Sequence, residues 1–444
     1  MNKNSNGANN MTSGNSMKQI IAFFLPLLWG NLFQQIYSLV DSIIVGKGIS
    51  DKALAAVGAT GTLNFLILGF VVGMTRGFGV LFSQSFGKGD MELLESHIRS
   101  AKKLCLIISV LFTVICILSL KALLLFLSTP ADIFKDAYNY FVIILAGILI
   151  TVMNNLVITI LQSLGDSKTP LYAMLISSLA NIILDIILVM GIRTGVAGAA
   201  IATVAAQFIS YYYCHIKVKK LGILDFSSST TDTTLELLKI GLPVAFMNSI
   251  TASGAMILQY FVNLMGSGYV AAYSACMKFA GLFEQFGMSV GLAIMTFVGQ
   301  NMGAKKYSRI RKGVREGILL SIIVNLPLAI LQIFFPGFLA KMLLSDVQII
   351  SYCSEFMPIL GIALFPLGWL FIYRYAVQGI GNTFLPMLSG ILEVVLRCSF
   401  CMTIGRQSFR GIAISEVSAW IGAFIMLMIT YYVILELKLC RCQK

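Results

Sequence analysis

From residue 20 to its end, the chain alternates stretches of about 20 mostly apolar residues with short polar breaks. A helix of that length matches a bilayer's hydrocarbon core of roughly 30 Å, whereas a helix on a soluble core would keep a polar face. Read in windows of about 20 residues, the pattern predicts spans near 20–46, 53–75, 98–120, 136–160, 170–190, 196–216, 236–263, 270–296, 315–336, 352–373, 386–404 and 411–436. The expected fold class is therefore an all-α polytopic membrane protein with twelve transmembrane helices. Pro130 and Pro336 should end helices, and Lys121 and Lys341 interrupt the apolar text beside the third, fourth, ninth and tenth spans. Residues 1–17, rich in Asn, Ser and Gly, predict a disordered cytoplasmic tail. The run from Ile20 to Gly46 carries Gln34, Gln35 and Asp41, lacks a small-residue cleavage pattern and is too long for a signal-peptide core, so it should remain as the first span.

Composition agrees with this frame, at 58% hydrophobic and 11% charged residues. Charge adds orientation. With the N-terminus inside, the inner segments hold 21 of the 32 Lys and Arg residues and the outer segments 8. That bias places both termini in the cytoplasm. The formal net charge of +13 could suggest nucleic acid, but the excess lies in short juxtamembrane loops. Topology and anionic headgroups account for it, making the lipid bilayer the expected partner and nucleic acid none.

The chain also repeats itself. Pro26–Asn31 recurs as Pro243–Asn248, Ala55–Ala56 as Ala271–Ala272, Gln84 and Gly87 as Gln300 and Gly303, and Gln162, Gly165 and Pro170 as Gln378, Gly381 and Pro386. The offset stays at 216 or 217 and spans an even number of helices, so the halves enter the membrane in the same sense, as parallel repeats. The implied organisation is an N-lobe at 18–217, a cytoplasmic linker at 218–235, a C-lobe at 236–437 and a cytoplasmic tail at 438–444.

Within the spans, Asp41 follows Tyr37 by one helical turn and Asp185 follows Asn181 by one turn. An acid at membrane depth is costly and by default marks an ion or proton pathway. Burial penalises a carboxylate's charge, while a second carboxylate, a hydrogen-bond donor or a metal ion shifts the balance again. Two such acids facing one cavity form a switch. With amide and hydroxyl oxygens beside them, Asp41, Asn181 and Asp185 also suit a hard cation such as Na⁺, and these residues leave H⁺ and Na⁺ both open. The structural alternative for each acid is a helix-terminus role at Asp41 and a helix-locking polar pair at Asp185.

Other polar residues divide between two uses. Glu393 and Arg397 are one turn apart and should pair, with Glu416 of the last span in reach of Arg397, as a structural ion network. Lys278, Glu284 and Gln285 are candidates to face a cavity, with Glu284 either pairing Lys278 or opposing a cationic substrate. Gln34, Asn154, Met256, Glu284 and Met288 are the candidate substrate contacts. Aromatic and Met side chains such as Phe65, Met153, Met256 and Met288 adapt to flat cations, although in apolar helices they more often face lipid or core.

Enzyme chemistry finds little support. The two histidines, His97 and His215, stand 118 positions apart in basic segments and form no zinc pattern. The nine cysteines form no disulfide framework. No Walker A sequence is present, so direct ATP drive is not expected, and neither is any cofactor beyond a coupling ion.

Taken in order, the run from Pro26 to Gly46, Leu54–Gly58, Gln84–Gly87, Gln162–Asp166 before Pro170, Asn181 with Asp185, and Gly198–Thr203 resemble the multidrug and toxic compound extrusion (MATE) transporters. Gly241–Pro243, Gly299–Ala304, Gln378–Gly381, and Pro386 leading to Glu393 and Arg397 continue the resemblance through the second half. It implies a V-shaped, twelve-helix antiporter that works by alternating access, exporting organic cations and other amphiphilic compounds while H⁺ or Na⁺ runs inward; a monomer is expected. It also implies a coupling-cation cluster at Tyr37, Asp41, Asn181, Asp185 and Thr203. The C-half departs from the pattern. Asp41 maps onto Leu258 and Asp185 onto Cys401, and the seventh span lacks the glutamate that some branches use for Na⁺. The alternatives are a lipid-linked oligosaccharide flippase of related architecture, which a broad basic cavity would favour, and a membrane-embedded lipid-modifying enzyme, which would need catalytic acids, His or metal ligands near one interface. A receptor or scaffold would leave the paired acids without a purpose.

Overall fold

The structure, a computed structural model, describes residues 9–126, 129–223 and 231–442. Most of the linker's centre and the ends of both tails lie outside the described residues. Fourteen α-helices follow one another: α1 Ser16–Gly48, α2 Asp51–Lys88, α3 Met91–Phe126, α4 Ala131–Ala146, α5 Ile148–Ser163, α6 Lys168–Asp185, α7 Val196–Lys220, α8 Thr234–Asn263, α9 Ser267–Gly303, α10 Tyr307–Phe334, α11 Pro336–Lys341, α12 Val347–Gly379, α13 Phe384–Phe400 and α14 Phe409–Cys442. Short π-helical segments, Ile186–Gly191 and Cys401–Gly405, extend α6 and α13. Among the described residues, eleven helical spans are long and apolar enough to cross a membrane. The bent pair α4–α5 supplies a twelfth, so the predicted count holds.

Local chemistry sets the breaks. Ser50 caps α2 by accepting from the Ala53 N–H at 3.1 Å, and Asp346 caps α12 through the N–H groups of Gln348 and Ile349. Asp90 caps α3, accepting from Lys88 at 2.8 Å and from the Leu93 N–H at 3.0 Å, and these bonds hold its carboxyl below the usual carboxylate range. Both prolines mark boundaries, but at helix starts: Pro130 precedes α4, and Pro336 opens α11 just after α10 ends at Phe334. The fourth span, expected to run unbroken, instead bends by 48° at Gly147. A side chain there would press on Val204 of α7, its Cβ lying 2.5 Å from a Val204 methyl, so the bend lies at a close helix–helix contact.

Two compact units result. One contains Trp29–Gly241, and the other contains Met11–Leu28 together with Leu242–Lys444. The chain passes between them just after Pro26 and just before Pro243, which the repeat pairs with each other. The opening turns of α1 therefore pack with the second half, and those of α8 with the first. In the latter contact, a Cβ on Gly77 of α2 would lie 2.7 Å from the Gly241 Cα, a spacing that only glycine on both helices permits.

The predicted disordered tail requires a correction for residues 9–17. Met11 is 1% exposed and Ser16 fully buried. Met11 donates its N–H to Gln300 Oε1 at 2.8 Å and its carbonyl accepts from Asn301 at 3.2 Å and Arg309 at 3.1 Å. Arg309 also donates to the carbonyls of Ser13 and Gly14 and to Gln19, while Lys306 donates to the Thr12 carbonyl at 2.7 Å. A polar segment with no apolar face is ordered because side chains elsewhere satisfy its backbone.

Candidate functional site

In the first unit, α1, α6 and α7 bring the five expected coupling residues together. Asp185 is the last residue of α6 before the π segment, and with Asn181 it is completely buried. The Asn181 amide donates to Asp185 Oδ2 at 2.9 Å and accepts from the Thr203 N–H at 3.2 Å, the orientation that the surrounding donors and acceptors require. Tyr37 lies beside the Thr203 side chain, and the Thr203 hydroxyl donates to the Ala199 carbonyl at 3.0 Å. The carboxyl groups of Asp41 and Asp185 lie within electrostatic reach of each other. The Oδ1 atoms of both acids are buried and have no partner among the described residues.

This donor set fits one small cation. A shared proton satisfies the acid pair directly. If that proton leaves, two charged oxygens converge beside neutral amide and hydroxyl oxygens, ligands suited to a hard ion such as Na⁺. Among the described residues, no group of three or more His, Cys, Asp or Glu side chains could hold a metal, so a transition-metal centre does not fit. Tyr140 of α4, which sequence reasoning missed, is 9% exposed and lies within electrostatic reach of both acids and Tyr37. Only the predicted depth of the fourth span could have pointed to it.

The second unit carries no acid at the matching place. Cys401 opens its π segment where Asp185 closes α6, and Leu258 is 1% exposed. A buried ion network lies nearby instead. Arg397 donates from Nε to Glu416 Oε2 at 2.7 Å and from Nη2 to Glu416 Oε1 at 2.9 Å, and Nη2 also lies 3.6 Å from Glu393 Oε2. Arg374 of α12 pairs with Glu393 as well. All four side chains are buried. Arg374 lies one residue beyond the predicted span 352–373, yet α12 continues past it and buries it. Glu284 lies within electrostatic reach of Glu416, Arg397 and Glu393 rather than against Lys278.

The candidate substrate contacts divide between the units. Gln34 is exposed, and Asn154 is half-buried with its Oδ1 lacking a partner among the described residues; both belong to the first unit. Met256, 44% exposed, belongs to the second unit with the half-buried Glu284 and Met288.

The MatE family pattern matches residues 26–187 and again 243–403, most of the chain and both repeats. The chain belongs to the MatE family. It is 26% identical over 420 residues to the probable multidrug resistance protein YpnP of Bacillus subtilis, covering 94% of this chain and 91% of that one. To the probable multidrug resistance protein NorM of Thermotoga maritima it is 23% identical over 414 residues, 91% of this chain and 88% of the relative. Its fold is similar to the outward-facing conformation of a multidrug resistance MATE transporter, with a TM-score of 0.91 at 21% identity over 98% of this chain and 99% of the other. As a MatE protein the chain is a multi-pass membrane transporter and not an enzyme.

Proposed function

We propose that this transporter exports organic cations or other amphiphilic compounds by alternating access, in exchange for H⁺ or Na⁺ bound at Asp41 and Asp185. The observation that carries this reading is the pair of intramembrane carboxyls of Asp41 and Asp185, within electrostatic reach of each other and framed by Asn181, Thr203 and Tyr37, with an unpartnered oxygen left on each acid. Such a pair takes up and releases one positive charge with little movement of its frame, which is what a coupling site must do. The multidrug resistance names of the relatives support a varied small-molecule cargo. The excess of Lys and Arg in alternate loops supports both termini facing the cytoplasm, and the bacterial relatives support the inner membrane of a bacterial cell. A monomer suffices, since each unit holds its own polar cluster.

Proteoliposomes loaded with a fluorescent organic cation test the reading. A proton gradient and a Na⁺ gradient are imposed separately, and one of them should drive transport in wild type and fail to do so in Asp185→Asn. Transport indifferent to both gradients would overturn antiport and return attention to a flippase.

A further inference from the structure

A cavity of about 180 Å³ opens between the basic end of α10 and the last turns of α14, about four helical turns beyond Glu416. It is lined by Arg311, Val314, Arg315, Tyr431, Tyr432 and Glu436, and about 15 Å³ is enough to admit a single water. Its charges are not balanced. Arg311 donates to Glu436 Oε1 at 2.6 Å, and Glu316, the acid beside Arg315 in sequence, pairs with Lys312 at 3.8 Å. Arg315 therefore has no ion pair among the described residues and lies exposed at the rim.

A second observation points into the same space. Tyr431 is 1% exposed, yet its hydroxyl has no hydrogen-bond partner among the described residues. A buried phenol normally finds one. The neighbouring hydroxyl of Tyr432 is engaged with Tyr373 at 3.4 Å, so the free donor in the wall is that of Tyr431. An exposed guanidinium and a tyrosine with an unpartnered hydroxyl, both lining one small cavity, suit an anionic oxygen group.

The position on the helix says what carries that anion. From Arg315 to Phe334, α10 measures about 30 Å at the usual helical rise, the thickness of a hydrocarbon core. Leu319, Ile323, Leu326 and Ile330 form its outward apolar stripe, and each is at least 44% exposed. On α14, Ile425, Ile429 and Val433 do the same up to the level of the cavity. The cavity therefore lies where two lipid-facing stripes give way to arginine, at headgroup depth. We propose that it is a binding site for one anionic phospholipid, with the phosphate held by Arg315, Arg311 and the Tyr431 hydroxyl and the acyl chains lying along α10 and α14. Glu436 opposes the phosphate and weakens the site.

The full-length protein, delipidated in a neutral detergent, is titrated with phosphatidylglycerol, phosphatidylcholine or inorganic phosphate while thermal unfolding and retained lipid by native mass spectrometry are followed. Phosphatidylglycerol should raise the unfolding temperature and be retained, and the other two should do neither. Tyr431→Phe and Arg315→Gln should each shift the phosphatidylglycerol midpoint to about tenfold higher concentration, the scale of one hydrogen bond to a charged group. Glu436→Gln should shift it lower. If Arg315→Gln does not fold, Tyr431→Phe decides alone, since it removes one oxygen. Equal stabilisation by phosphatidylcholine, a response to phosphate alone, or midpoints unmoved in these variants would each overturn the proposal.

Discussion

Arg397 holds Glu416 with two nitrogens, at 2.7 and 2.9 Å, and both side chains are buried. A two-pronged contact of this kind fixes the angle between α13 and α14 as well as their charge balance. Removing the arginine leaves Glu416 and Glu393 both facing Glu284 with less positive charge among them. Arg397→Leu should therefore lower stability by about 3–5 kcal/mol, read as a fall in unfolding temperature in detergent. Glu393→Gln and Glu416→Gln should cost less, and transport per folded molecule should survive in all three. Substrate-selective loss of binding at unchanged stability would instead give these acids a place in cargo recognition.

Gly254 tests the same network from α8. A Cβ there would lie 2.5 Å from Arg397 Nη1, and the guanidinium is not free to swing away because Glu416 grips its other edge. Gly254→Ala should cost about 1–3 kcal/mol. An unchanged unfolding temperature would show that the guanidinium has room that the structure does not provide.

Asp41→Asn and Asp185→Asn should each abolish gradient-driven efflux while the protein stays folded and inserted. An asparagine keeps the shape and some hydrogen bonds but cannot take up and release a positive charge. Asn181→Ala should impair coupling less completely, because it removes the donor that orients Asp185 at 2.9 Å and leaves both acids in place. Coupled transport at wild-type rates in both aspartate variants would sink the assignment of this site.

Exchange requires that the coupling ion and the cargo lower each other's affinity, and that effect is reciprocal. If H⁺ is the ion, uptake of a proton by the acid pair favours release, so binding of a fluorescent organic cation should weaken as pH falls, without Na⁺. If Na⁺ is the ion, added Na⁺ at fixed pH should displace the probe and K⁺ should not. Asp185→Asn should flatten whichever response is found.

Arg309 joins the N-terminal segment to the second unit through Met11, Ser13, Gly14 and Gln19. Arg309→Ala should release that segment, measured as faster protease cleavage and faster amide exchange between residues 11 and 19, with the remaining spans unaffected. Protection equal to wild type would mean that Gln300, Asn301 and Lys306 hold it without help.

Much of this was legible in the residues. Asp41 with Tyr37 and Asp185 with Asn181 are local pairs at helical spacing, and local spacing survives folding; so does Glu393 with Arg397. The contacts that went unseen depend on partners far along the chain. Arg374 followed a long apolar run and looked like a loop charge, because nothing near it announces Glu393. Tyr140 is one aromatic among many until α4 brings it beside the acids. The segment 9–17 has the composition of a tail, and its order is encoded in Gln300, Asn301, Lys306 and Arg309, which it meets only in the folded protein. The break at Gly147 falls where the chain comes close to Val204, a fact about α7 rather than α4.

The exchange of opening turns at Pro26 and Pro243 bears on how such a chain arose. If the two repeats descend from one duplicated six-helix ancestor, that ancestor could not have completed its own packing, because the start of its first helix belonged on its twin. It would have been an intertwined pair, each copy lending the other its beginning, and fusion into one polypeptide made that loan permanent. Halves of the present protein produced separately should then be found only in each other's company.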